Sequence, residues 1–132
     1  MINKVVLDTN VLVSSLLTNG PPATIVDMVA EGKLRPFYND RIISEYWSVL
    51  QRTKFSFHPS QVSRLIEDIM RVGIAVETNA PSSIPMPDEG DRKFYDVTMA
   101  SSAFLITGNI RHFPVNSFIV TPAIFLKMYQ SD

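Results

Sequence analysis

The segment KVVLDTN at residues 4–10 decides the fold class. Its apolar residues lead directly into Asp8, Thr9 and Asn10, and a short apolar run bounded by polar residues is typical of a buried parallel strand. In open α/β sheets, ligands bind beyond the carboxyl ends of the strands. Asp8 therefore stands where such proteins carry out chemistry, unless its role is only to cap the helix that follows.

The composition is that of an ordinary globular protein. Hydrophobic residues make up 45% of the 132-residue chain and charged residues 19%, and we expect a single domain over residues 1–132. No apolar run approaches the ~20 residues that span a bilayer, and no signal peptide is evident, so we expect no membrane association. The absence of cysteine excludes disulfides and thiolate metal sites and fits a cytoplasmic protein.

The net charge of −1 limits how the chain could bind nucleic acid. A protein that held nucleic acid mainly by charge would carry a clear basic excess. Local basic residues and a metal bridging to phosphate would have to supply the binding, and we expect it to be weak or transient.

Predicted strands alternate with predicted helices throughout, which indicates an α/β fold with a mainly parallel sheet. We predict strands at residues 4–7, 34–38, 74–77, 104–106 and 118–120. We predict helices that begin near Val11, Thr24, Asp40, Pro59, Asp88 and Pro122, the fifth of them ending at Ala100 or Ser102. Residues 78–87, with three prolines and two serines, are predicted to form a loop.

Several oxygen-bearing side chains stand where a strand ends or a helix begins. Magnesium and manganese prefer carboxylate and amide oxygens, so these residues are candidate ligands of a divalent ion. The candidates come from separate elements and are Asp8, Glu45, Asp88, Asp91, Asp96 and Asn109.

Each candidate also has an ordinary structural explanation. Glu45 borders the apolar face of its helix and would favour the dipole at the helix N-terminus. Asp88 has the position of an N-cap and Asp91 that of an acidic residue in the first turn. Asp96, one turn further on, would either support the site or lie on the surface.

Polar neighbours of the strand ends complete the candidate site. If the fourth strand adjoins the first, Asn109 and Asp8 lie close together. Hydrogen bonds from such neighbours orient metal ligands, and a basic residue there would contact a phosphate. The neighbours are Thr9, Asn10, Thr107, Arg111 and His112.

Four segments in order, at residues 6–14, 43–46, 88–94 and 105–114, resemble the PIN-domain family. The resemblance is to its small single-domain members that act as the toxin of a toxin–antitoxin pair (VapC-like), and it covers nearly the whole chain. It implies a three-layer α/β/α sandwich with a central parallel sheet. It also implies a ribonuclease, dependent on Mg²⁺ or Mn²⁺, that hydrolyses RNA phosphodiester bonds.

The family's acidic positions match Asp8, Glu45 and Asp91, while the fourth, often aspartate, falls on Asn109. The resemblance implies that Asp8 and Asp91 hold the metal, and that Glu45 completes the site or acts on the attacking water. Asp88 and Asp96 match positions that are often acidic in this subgroup. A cognate antitoxin and a homodimer are also implied.

Three other interpretations remain open at this point. The first is a PIN-like domain that binds RNA or a partner but cuts poorly, because Asn109 replaces a carboxylate. The second is a phosphoryl-accepting α/β switch with Asp8 as the acceptor, although Asn10 lacks the carboxylate that a dehalogenase-like hydrolase would place there. The third is a structural domain in which every candidate carboxylate is a helix cap.

Overall fold

The structure, a computed structural model, describes residues 2–78 and 80–131, and its centre is a five-stranded parallel sheet. The strand order is β3-β2-β1-β4-β5, and every neighbouring pair is parallel. The predicted α/β class with a parallel sheet is therefore confirmed. The strands are β1 (Lys4–Leu7), β2 (Arg35–Tyr38), β3 (Ile74–Ala75), β4 (Phe104–Ile106) and β5 (Ile119–Val120).

Six α-helices in the described ranges flank this sheet, as the predicted three-layer sandwich requires. None of them has the length and apolar character needed to cross a membrane. They are α1 (Thr9–Leu17), α2 (Pro21–Ala30), α3 (Asp40–Leu50), α4 (Pro59–Val72), α5 (Arg92–Ser101) and α6 (Pro122–Ser131).

Strand β1 occupies the middle of the sheet and is buried from Val5 to Leu7. A strand with helices on both faces must be apolar at successive positions, which explains the unbroken run in the sequence. The register pairs Leu7 with Ile106 of β4, and the Asp8 amide donates a hydrogen bond to the Ile106 carbonyl at 3.0 Å. This register brings the chain after β1 beside the chain after β4.

Local end signals place α3 and α4 as predicted. Asn39 caps α3, because its Oδ1 accepts a hydrogen bond from the Ile42 amide at 2.9 Å. Helix α4 begins at Pro59, the first helical position that proline favours, and ends before Gly73. A Cβ at Gly73 would collide with the carbonyl oxygens of Pro36 and Ile69, so the close approach of α4 to β2 requires glycine.

Four predicted boundaries are wrong by two residues or more, and the first is that of α1, which begins at Thr9 and not near Val11. Helix α2 begins at Pro21 and not at Thr24, because the two prolines that stop α1 also serve as its first residues. Strand β3 ends at Ala75, two residues early, and α5 begins at Arg92 after a single 3₁₀ turn over Glu89–Asp91. Asn79, in the predicted loop, lies outside the described residues.

Candidate metal centre

Residues from two adjacent strands meet at the carboxyl edge of the sheet. Asp8 directly follows β1 and is buried, and its Oδ2 accepts a hydrogen bond from the Thr107 hydroxyl at 2.8 Å. The same hydroxyl accepts a hydrogen bond from the backbone N–H of Asn109 at 3.0 Å. The pairing of β1 with β4 thus brings Asp8 beside Thr107 and Asn109, which lie about a hundred residues later in the chain.

Asp8 does not act as a helix cap. It precedes α1, yet its side chain makes no capping hydrogen bond to that helix. Burial raises the pKa of Asp8, and the charge of Glu45 adds to this, although hydrogen bonding to Thr107 and to the backbone amides of Asn10 and Thr9 acts in the opposite direction. Capping of α1 alone does not account for a carboxylate that is buried and bonded to Thr107 on the neighbouring strand's loop.

Glu45 reaches the same place from the second turn of α3. Its Oε2 accepts a hydrogen bond from the Thr9 hydroxyl, and its Oε1 lies 2.7 Å from Nζ of Lys93. The charge of Glu45 raises the pKa of both Asp8 and Asp91, so the three carboxylates are close enough to repel one another. We call Asp8, Glu45, Asp88 and Asp91 the carboxylate cluster.

The 3₁₀ turn before α5 supplies the rest of the cluster. Asp88 caps this turn as predicted, because its Oδ1 accepts a hydrogen bond from the Gly90 amide at 2.9 Å. Asp91 makes no capping hydrogen bond, and its Oδ2 is buried without a hydrogen-bond partner in residues 2–78 and 80–131. Nδ1 of His112 is 3.6 Å from this oxygen, too far for a hydrogen bond.

The surroundings of Asp91 favour a cation. Burial and the charges of Asp8 and Asp88 raise the pKa of Asp91 to about 6, against a smaller opposing effect of His112. One ligand atom each from Asp88, Asp91 and His112 lies within 4.8 Å of the others. A buried oxygen without a partner, among carboxylates that repel one another, matches what a hard divalent cation would satisfy. The donor set therefore fits magnesium or manganese.

The remaining predicted residues divide into two groups. Asn109 lies with its amide nitrogen 2.9 Å from Nε2 of His112, and Asn10 Oδ1 accepts a hydrogen bond from the Gly108 amide at 3.2 Å, so both lie at the edge of the cluster. Asp96 is directed elsewhere, since its Oδ2 accepts a hydrogen bond from the Ser82 amide at 3.1 Å and so holds the 80–87 segment against α5. Arg111 is exposed.

A groove of about 890 Å³ opens beside the cluster. It runs from Glu45 and Lys93 past the starts of α3 and α5 to the segment after β3. Its charged lining is mixed, and no aromatic side chain lines it within the part of the chain that the structure describes. A ligand there would meet hydrogen-bonding groups and not a stacking surface. Its charged residues are Asp40, Arg41, Glu45, Glu77, Glu89, Arg92, Lys93 and Asp96.

Sequence reasoning missed the importance of Lys93. The sequence indicates only a basic residue next to an acidic turn, the kind of residue that is usually solvated. Its partner Glu45 lies 48 positions earlier, on another helix, so no local pattern links the two. The one available signal is that Lys93 follows Asp91 by two residues at the start of a helix.

The comparisons with known proteins agree with this geometry. The family model described as "PIN domain" matches residues 4–111. The uncharacterized protein MJ1680 of Methanocaldococcus jannaschii is 30% identical over 110 residues, which cover 80% of this chain and 70% of that protein. A chain in the crystal structure of VapBC2 from Rickettsia felis, bound to a DNA fragment from their promoter, shares the fold at a TM-score of 0.55 and 12% identity, over 89% of this chain and 96% of that one. With the family model matching most of its length, and with carboxylates gathered at the carboxyl edge of a parallel sheet, this chain belongs to the PIN-domain family.

Proposed function

We propose that this protein is an endoribonuclease, dependent on Mg²⁺ or Mn²⁺, that hydrolyses RNA phosphodiester bonds. The observation that supports it most is the buried Asp91 oxygen, which has no hydrogen-bond partner in the described ranges and belongs to a cluster of carboxylates. Neighbouring carboxylates cost free energy unless a cation neutralises them, and in the described residues neither Asp8 nor Asp91 pairs with a lysine or arginine, which supports a bound metal ion. Membership of the PIN-domain family supports the nuclease class.

In this proposal Asp8 and Asp91 hold the metal directly, and Asp88 contributes from the capped turn. A bound divalent ion would lower the pKa of a water molecule and stabilise charge on phosphate oxygens. Thr107 fixes the orientation of Asp8 by its hydrogen bond, and Asn109 in turn orients Thr107. Glu45, fixed on both oxygens, completes the site or acts on the attacking water.

The groove beside Glu45 is where we place the RNA strand. Arg41 lines it and would face phosphates, and the mixed charge of the lining suits transient binding. Without aromatic residues among its described lining, the groove would select RNA by shape and hydrogen bonds and not by base stacking.

We also propose the partners that a VapC-like toxin would have: a cognate antitoxin and a second copy of this chain, both in the cytoplasm. The similarity of fold to a chain of the VapBC2 structure supports the antitoxin. Light scattering tests both partners by measuring the mass of the purified protein, alone and co-expressed with the product of the adjacent gene. A monomer that does not bind that product would contradict both proposals.

Cleavage of a labelled, structured RNA pool tests the nuclease directly. The parent is compared with Asp8→Asn and with Glu31→Gln, which removes an exposed carboxylate paired with Lys33 away from the cluster. Mn²⁺ or Mg²⁺ should support cutting and EDTA should abolish it. Asp8→Asn should reduce the rate by more than about a hundredfold, since a direct ligand costs more than a supporting residue, while Glu31→Gln should cut like the parent.

Each other outcome has a distinct meaning. Equal cutting by the parent and Asp8→Asn would identify a contaminating nuclease. If no variant cuts but Mn²⁺ raises the melting temperature of the parent alone, the protein is a metal-binding PIN domain of weak activity, and the substitution of asparagine at position 109 becomes the explanation. If Mn²⁺ has no effect on melting either, the proposed metal centre is wrong.

A further inference from the structure

Lys93 is the one lysine or arginine that pairs with the carboxylate cluster in the described residues, and its contacts differ from those of an ordinary surface lysine. Nζ of Lys93 lies 2.7 Å from Oε1 of Glu45 and also donates a hydrogen bond to the Gly90 carbonyl. Lys33 offers the matched comparison, since its Nζ lies 3.5 Å from Oε1 of Glu31. The Lys93 and Glu45 side chains are 17% and 28% exposed, whereas those of Lys33 and Glu31 are 58% and 55% exposed.

These contacts join three separate parts of the site. Glu45 belongs to α3, Gly90 lies in the turn that carries Asp88 and Asp91, and Lys93 itself lies in α5. A lysine has three N–H donors, and these two contacts use two of them. The ammonium group thus fixes the distance between Glu45 and the Asp88–Asp91 turn.

The two ends of the carboxylate cluster consequently differ in how far neighbouring groups compensate their negative charge. Both oxygens of Glu45 have a donor, Thr9 on one side and Lys93 on the other. Asp91 has an oxygen without any such donor in the described residues. A divalent cation gains most where negative charge has no lysine or arginine beside it, which among the described residues is at Asp91 and Asp8 and not at Glu45.

We propose that Lys93 is a positioning residue that acts through Glu45. By pairing with Glu45, it keeps that carboxylate out of direct contact with the metal and holds it toward the groove, where Glu45 acts on the attacking water. This inference rests on the proposed function of the site, and it decides between the two roles that remained open for Glu45.

Manganese affinity, measured by calorimetry without any substrate, tests the proposal through a double-mutant cycle of Lys93→Met and Glu45→Gln. Releasing Glu45 in Lys93→Met adds a ligand to the metal site, so we expect Mn²⁺ to bind about fivefold more tightly than in the parent. In the Glu45→Gln background, Lys93→Met should change the affinity by much less. Lys33→Met, the matched control, should leave it unchanged.

Steady-state kinetics on RNA separates positioning from substrate binding. Lys93→Met should lower kcat by about tenfold or more with little change in KM, because Glu45 leaves its position. Lys93→Arg keeps the charge and should restore most of the kcat. Comparing the melting temperatures of all variants identifies any that fail to fold, and the arginine variant then decides the question.

Three results would overturn the proposal. Equal tightening of Mn²⁺ binding in both Glu45 backgrounds would show that Lys93 acts by charge alone. A raised KM with unchanged kcat would make Lys93 a phosphate-binding residue. An unchanged Mn²⁺ affinity in Lys93→Met would show that the pair has no influence on the metal. Because the calorimetric cycle needs no RNA cleavage, failure of the nuclease proposal would be seen separately, as a parent that binds Mn²⁺ but cuts nothing.

Discussion

Glu45 has a hydroxyl or lysine partner on each of its carboxylate oxygens, whereas Asp91 has an oxygen that is buried without a hydrogen-bond partner among the described residues, with the His112 ring 3.6 Å away. Both belong to the same cluster at the carboxyl edge of the sheet. Side chains of the protein contact both carboxylate oxygens of Glu45, whereas Oδ2 of Asp91 receives no hydrogen bond from the described residues. Since proteins seldom bury a polar atom without a partner, the difference between the two residues points to where a cation binds.

The largest expected effect concerns the stability of the metal-free protein. The pKa of Asp91 is about 6 in the folded protein against an ordinary 3.8, so between these pH values the folded state binds more protons than the unfolded state. The free energy of unfolding therefore falls as the pH rises through this window, and the penalty is complete above it. The raised pKa of Asp8 acts in the same direction.

Asp91→Asn removes this penalty. In EDTA the variant should exceed the parent in unfolding free energy by on the order of 2 kcal/mol at about pH 7.5, and by much less at about pH 4. Denaturant titrations at both pH values, with Glu31→Gln as the control, measure the difference. A difference that does not depend on pH would show that Asp91 is not held in a repulsive setting.

A somewhat smaller effect should follow from Thr107→Val. The substitution keeps the shape of the side chain but removes the hydroxyl that donates to Asp8 and accepts from Asn109. We expect Mn²⁺ affinity to fall about tenfold, or about 1.4 kcal/mol, as for other residues that orient a metal ligand.

Thr98→Val is the matched control for this change. Thr98 is also fully buried, but its hydroxyl donates to the Phe94 carbonyl within α5, at 2.7 Å. The Thr98→Val variant should lose about as much stability as Thr107→Val, because each loses one buried hydroxyl, but it should bind Mn²⁺ like the parent. If both variants lost the same affinity, the hydroxyl of Thr107 would have no specific role at Asp8.

The smallest expected effect concerns Asn109→Asp, which adds a carboxylate at the edge of the carboxylate cluster. The new charge lies beside His112 at the edge of the cluster, and we expect Mn²⁺ to bind about threefold more tightly at low ionic strength. Asn116→Asp, which retains the side-chain oxygen that accepts from the Phe118 amide, controls for added charge alone. Weaker binding in Asn109→Asp would mean that the amide itself is a preferred contact.

Much of the fold follows from local signals in the sequence. The apolar run before Asp8, the cap at Asn39 and the prolines at positions 59 and 122 each act within one turn or one strand, and each is confirmed. Two of the errors lie where two signals overlap. The prolines at 21 and 22 both end one helix and start another, and the acidic residues before Arg92 form a 3₁₀ turn before the helix proper.

The site was less predictable, because its properties depend on pairs distant in sequence. Sequence reasoning could name Asp8 and Asn109 as neighbours only on the condition that β1 and β4 pair, which they do. It could not show that Glu45 is paired with Lys93 while one oxygen of Asp91 lacks a hydrogen bond, since that depends on how α3 and α5 pack together. Burial and charge compensation are properties of the folded state, and here they distinguish carboxylates that look alike in the sequence.

A calorimetric titration of the parent, Asp91→Asn and Glu31→Gln with Mn²⁺ tests whether Asp91 is a metal ligand. We expect saturable binding to the parent and to Glu31→Gln, and a loss of more than about a hundredfold in affinity for Asp91→Asn, because a direct ligand is removed. Equal binding by the parent and Asp91→Asn, or no binding by the parent, would contradict a metal centre at Asp91.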